Sequence, residues 1–166
     1  MVNKVFCILA CFILLISFCS CALTENGNSL YAFCERINAL DSSYNLSPTG
    51  FIVSESDKSL TKFFRVYQKE IMLQLVYNED NLLTTLHIVF DNSEKNNAEE
   101  EKFIKNSIYA FADNTTTIDS LLVKIDFDNA IQSVDMHTKK AKIDNIEMLI
   151  DVTDIGTVIT VVKNIL

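Results

Sequence analysis

Between Phe51 and Asp91 four β-patterned runs follow one another: Phe51 to Ser54, Leu60 to Tyr67, Ile71 to Tyr77 and Leu83 to Asp91. The polar links between them, around Asp57-Lys58, Gln68 to Glu70 and Asn78 to Asn81, are only a few residues long. Links that short cannot carry a crossover, so neighbouring runs must pair antiparallel as a meander. Alternation then assigns the faces. Phe64, Val66, Ile71, Leu73, Leu75, Tyr77, Leu86, Ile88 and Phe90 point to a core, and Arg65, Gln74, Thr85 and His87 point the other way, onto a wet face.

Helical patterns flank the meander. Leu30, Phe33, Cys34, Ile37 and Leu40 form one stripe over Ser29 to Leu40, with Glu35 and Arg36 facing away and Asn28 or Ser29 available as a cap. The only proline, in Leu46 to Gly50, marks a turn after that helix. Ala98 to Asp113 reads as a second helix, with Phe103, Ile104, Ser107, Ile108 and Phe111 on one side and Lys102, Lys105 and Asn106 on the other. Glu99, Glu100 and Glu101 sit in its first turn, where the helix dipole favours acids. From Thr117 to Met136 the apolar stripe changes sides. Ile118, Leu121, Leu122 and Ile125 precede the change and Phe127, Ile131 and Val134 follow it, so a break is expected near Asp126, with Asp126 or Asp128 capping a short further helix.

Met136 to Lys142 reads as a basic link, and Ile143 to Val152 and Gly156 to Leu166 as a closing hairpin turned at Thr153 to Gly156. Val158, Ile159, Val161, Val162, Ile165 and Leu166 are apolar on both faces, the mark of a strand that is covered on both sides or lies mid-sheet. The expected fold is α+β: an antiparallel sheet of about six strands, a four-strand meander plus a C-terminal hairpin, with helices packed on one face.

The first 28 residues carry a different message. Met1 to Lys4 has one positive side chain, Val5 to Phe18 is an apolar core of 14 residues, and the small residues Ser20 and Ala22 follow. That is signal-peptide order. Val5 to Leu23 is also just long enough to span a bilayer, although Ser17, Ser20 and the polar stretch Thr24 to Ser29 shorten the apolar run. Ser20-Cys21-Ala22 satisfies the small-x-small rule for cleavage after Ala22.

Phe18-Cys19-Ser20-Cys21 also resembles the lipobox of bacterial lipoproteins. In that family a cysteine preceded by a small residue is acylated and becomes the mature N-terminus. Ser20 matches the pattern; Phe18 departs from the usual branched aliphatic residue, and Cys19 is an uncommon second position. The resemblance implies a signal peptide at 1–21, a lipid anchor on Cys21 and a short tether at 22–28, and the chain length leaves room for a single domain at 29–166. Such a tether reaches at most ~25 Å. A soluble secreted domain cut after Ala22, and a single-pass protein retaining the span, stay open as alternatives.

Cysteine usage and charge narrow the chemistry. Of five cysteines, four lie in or beside the leader, so Cys34 has no intrachain disulfide partner in the domain. Leaving out Lys4, 13 basic residues face 22 acidic ones, a formal charge of −9, which repels phosphate backbones and argues against nucleic acid as a partner. Cys34 and His87 are the one thiol and imidazole that could form a nucleophile and base. The helix stripe and the strand alternation put them on different sides. His137 sits among lysines and reads as solvated. Asp126-Phe127-Asp128-Asn129 opens like a calcium loop but lacks its glycine and glutamate. The triplets Asn45-Leu46-Ser47 and Asn114-Thr115-Thr116 read as loop residues.

With no catalytic motif, metal-ligand spacing or cofactor loop in the sequence, the expectation is a non-catalytic extracytoplasmic domain with a binding or envelope-associated role, held at the membrane by its anchor. Its candidate contact surface for a protein or small ligand is the polar sheet face bearing Arg65, Tyr67, Gln74, Thr85 and His87.

Overall fold

The computed structural model describes residues 29–165; the signal segment, Cys21 and the tether lie outside that range. Helix α1 (Leu30–Leu40) and two single 3₁₀ turns (Ser42–Tyr44 and Pro48–Gly50) lead into strands β1 (Ile52–Ser54), β2 (Ser59–Val66), β3 (Lys69–Tyr77) and β4 (Leu83–Phe90). Three helices follow, α2 (Ala98–Ala112), α3 (Thr115–Ile125) and α4 (Phe127–Gln132). Strands β5 (His137–Ile143), β6 (Ile146–Val152) and β7 (Thr157–Lys163) close the chain. All seven strands form one antiparallel sheet in the order β1-β2-β3-β4-β7-β6-β5. The α+β expectation is met, with seven strands rather than six.

The additional strand is β5. The segment taken from the sequence as a basic link pairs along its whole length with β6, from His137 opposite Val152 to Ile143 opposite Ile146. Its lysines disguise it, since Ala141 is its one fully buried apolar residue. At the edge of a sheet that composition is what keeps a foreign strand from adding on. The opposite edge, β1, is guarded by being only three residues long.

One face of the sheet meets the helices. Leu73, Ile88, Ile159 and Ile150 align across β3, β4, β7 and β6, and beside them run Leu75, Leu86, Val161 and Met148. All eight are fully buried. Each such side chain contributes about 1.5–3 kcal/mol relative to leaving it in water. From the helices come Phe33 and Ile37 of α1, Phe103, Ile104, Ile108 and Phe111 of α2, Ile118 and Leu121 of α3, and Phe127 of α4.

Local signals set the helix ends. Ser29 caps α1 by accepting from the Ala32 amide at 3.2 Å. In α2 the Asn97 side chain accepts from the Glu99 and Glu100 amides while the Glu100 carboxylate accepts from the Asn97 amide, a reciprocal capping box. Glu100 is therefore buried in a capping role, beyond the dipole contact its position suggested. The break at Asp126 is where the change of stripe put it, but Asp126 does not cap α4. It takes a left-handed conformation (φ 55°) at the junction, and its carboxylate accepts from Asn129 at 2.8 Å and from Lys139 of β5 at 3.0 Å. Leu40 is 45% exposed, outside the apolar stripe it was assigned to. Arg36 turns inward, its Nε donating to the Ala110 carbonyl at 2.6 Å near the end of α2.

A polar knot ties the β4–α2 connection to the rest. The Lys69 ammonium donates to Asn96 Oδ1 at 2.7 Å and to the Glu94 carbonyl at 3.0 Å, and lies 4.0 Å from the Glu100 carboxylate. Asn96 in turn donates to the Ile131 carbonyl at 2.7 Å, and Gln132 donates to the Asn96 carbonyl at 2.8 Å. Most of the buried polar groups here are thereby paired, Gln132 Oε1 being the exception, and α4 is held to the start of β3.

Two outcomes follow from this packing. Truncation after Val158 removes most of β7, the strand between β4 and β6, and should abolish the cooperative thermal transition seen by circular dichroism; a truncated chain melting like the full one would contradict the topology. Gly156 sits at φ 154°, and a Cβ there would come 2.8 Å from the Phe90 carbonyl oxygen. Gly156→Ala should cost about 1–3 kcal/mol in urea denaturation.

Candidate functional site

The face of the sheet opposite the helices carries no helix among the described residues. Pairing registers lay it out in rows. Thr61, Gln74, His87, Thr160, Leu149 and Lys140 run across β2, β3, β4, β7, β6 and β5. On one side lies the row Phe63, Met72, Val89, Val158, Asp151 and Thr138; on the other, Ser59, Val76, Thr85, Val162, Glu147 and Lys142. Most of these residues are half-buried by their neighbours, and Phe63 is 53% exposed.

Of the five residues read from the sequence as a contact surface, four share this face. Gln74, Thr85 and His87 lie at its centre and Arg65 at the β2–β3 corner, opposite Glu70. Tyr67 is not among them. It forms the tip of the β2–β3 hairpin with φ 55°, a turn position that takes it out of strand alternation. There it flanks a groove of about 370 Å³ shared with Asp41, Tyr44, Lys102 and Phe103.

The face is also less wet than alternation alone suggested. Met72, Val76, Val89, Val158 and Val162 stand between the polar residues, and no charged side chain lies on it within β4 or β7. The signal was in the sequence, in the run Val158 to Val162 that is apolar on both sides. The polar groups at the centre satisfy one another: His87 Nδ1 and Thr160 Oγ1 are 3.0 Å apart, and Gln74 donates to Ser59 Oγ at 3.3 Å. Burial lowers the His87 pKa, so the imidazole is held neutral near pH 7.

The thiol and imidazole do not meet. Cys34 is 2% exposed in the core under α1, and His87 occupies the open face beyond the sheet. Desolvation pushes the Cys34 thiol up to about 11, with nearby Lys62 opposing weakly, and a thiol so placed is a poor nucleophile. His137, expected in a solvated link, lies in β5, where Nδ1 is 2.7 Å from the Asp135 carbonyl and Nε2 is buried without a partner.

Another concavity, about 550 Å³, opens between α2, α3 and α4. Its polar groups pair with one another, Tyr109 with Asp119 at 2.5 Å and Lys105 with Asp128 at 2.6 Å. Burial and Asp119 together raise the Tyr109 hydroxyl to about 12. Among the described residues no group of three or more His, Cys, Asp or Glu is gathered as metal ligands, and Asp126 and Asp128 are engaged by lysines. The Asn114 side chain caps α3 by accepting from the Thr117 amide at 3.1 Å. Among the described residues no helix is long and apolar enough to cross a membrane.

No family model, no curated protein and no solved structure matches this chain.

The folded thiol should react with iodoacetamide at pH 8 at least about 100-fold more slowly than after denaturation in urea. Mass spectrometry of the Cys34 peptide reads this, and rapid labelling in the native state would reinstate Cys34 as a reactive group.

Proposed function

We propose that this chain is an extracytoplasmic, non-catalytic binding module, held at a membrane through lipid on Cys21 and making its contact through the open sheet face. The observation supporting the binding part is the composition of that face. Gln74, Thr85 and His87 sit among five aliphatic or thioether side chains, with charges kept off β4 and β7 and toward the two edges. Surfaces of this kind, with neutral polar and apolar side chains together at the middle and charges toward the edges, are the anatomy of protein contacts.

The anchoring part is supported by the order of Lys4, the apolar core and Phe18-Cys19-Ser20-Cys21. Multiple acyl chains hold a protein stably where a single one does so only marginally. With the domain beginning at Ser29, the tether 22–28 would keep the open face within ~25 Å of its attachment plus the width of the domain.

The intact mass of the protein from its membrane fraction tests the anchor. A chain beginning at Cys21 and carrying acyl groups is the expected result, and Cys21→Ala should abolish the acyl mass. An unmodified chain beginning at Leu23 in the medium would make it a secreted domain, and retention of Met1 would make it a single-pass protein.

A further inference from the structure

We infer that the open face is covered by a second copy of this chain, the two sheets packing face to face about a two-fold axis. This rests on reading the open face as the contact surface, and goes beyond it by naming the partner.

Three observations carry it. The first is area. With strands about 4.8 Å apart and rising about 3.3 Å per residue, the five strands β2, β3, β4, β7 and β6 present roughly 24 by 24 Å. That is on the order of 600 Å² per partner, the lower bound of a stable, specific complex.

The second is charge. The chain beyond its leader carries a formal −9, from 13 basic and 22 acidic residues, so two copies repel through most of their surface. The open face is exempt: Arg65, Lys140 and Lys142 balance Glu70, Glu147 and Asp151, and Lys140 already pairs with Glu147 at 2.6 Å. A neutral face on an acidic body adds no local charge repulsion to the approach of a second copy. A basic partner would instead be drawn to the acidic remainder of the surface.

The third is hydrogen bonding. Burying a polar group that then lacks a partner costs free energy. The polar pairs at the centre of the face, His87 with Thr160 and Gln74 with Ser59, are made within one copy. These two bonds survive when the centre loses water, and the remaining polar atoms, Gln74 Oε1 and His87 Nε2, are left for the partner's face to meet. What the partner supplies is apolar contact for Phe63, Met72, Val89 and Val158, as the inner faces of a sandwich do for each other. Each residue would meet its partner's surface reciprocally, as an isologous interface requires.

The test is photo-cross-linking of the full chain in its membrane, with Phe63→p-benzoylphenylalanine as the probe and Val123→p-benzoylphenylalanine on the exposed side of α3 as the control. Phe63 is exposed enough that the aromatic replacement leaves the fold intact. An adduct of twice the 18.8 kDa chain, less its leader, from position 63 and none from 123 is expected. Adding Val89→Glu to the Phe63 probe should reduce that adduct at least about tenfold. An adduct of any other mass from position 63 would overturn the second copy while leaving the face as a binding surface. No adduct from position 63 would overturn both, and a doubled mass from 123 as well would overturn the face-specific assignment. Should Val89→Glu fail to accumulate, Thr85→Lys serves in its place.

Discussion

The pairing of β4 with β7 is the constraint on which the rest of the structure depends. It is the only ladder joining the four-strand meander to the three-strand one, and it sets Leu86 against Val161 and Ile88 against Ile159 at the centre of the core. Without it the chain would hold two small sheets, each too narrow to cover α1 to α4. With it the helices between β4 and β5 have a single surface to lie on, and their apolar stripes converge there. The connection from β4 is long because β5 begins at the far edge of the sheet, so α2, α3 and α4 must cross the same face to reach it.

That arrangement explains why one face is dry and the other is not. Every described helix is spent on the side of Leu73, Ile88 and Ile159, and among the described residues nothing is left for the side of Met72, Val89 and Val158. Yet β7 is apolar on both sides, as a buried central strand is. The chain thus carries the composition of a three-layer protein while the described residues supply two layers. The self-paired polar centre around His87, and the neutrality of the face on an acidic body, are consistent with a surface that is dehydrated part of the time.

Much of the fold was legible because it is written in short-range pattern. The meander was readable from link length and alternation, α2 from its 3.6-residue stripe, and the Asp126 break from the change of stripe. What was missed depends on partners distant in sequence. Strand β5 has lysines on both faces and becomes a strand only because β6 lies beside it. Arg36 points inward because the Ala110 carbonyl, an orphan near the end of α2, is within reach. Tyr67 leaves the face because the hairpin turns one residue sooner than its aromatic character suggested. For the candidate site, the polar members were visible as alternating residues. The apolar members between them were not recognised, because an outward-facing valine in one strand carries meaning only when the register aligns it with another.

The residues of β4 and β7 that meet are separated by some seventy positions of chain, and this distance has a kinetic side. Loop closure on that scale costs more entropy than the local hairpins of the first meander, so the first four strands should gain order earlier than the ladder that completes the sheet. Until β7 arrives, the outer edge of β4 presents unpaired amides and carbonyls flanked by Leu86, Ile88 and Phe90. A chain delivered from its N-terminus would pass through that state each time it folds, and its two finished edges, one short and one studded with lysines, protect only the completed molecule.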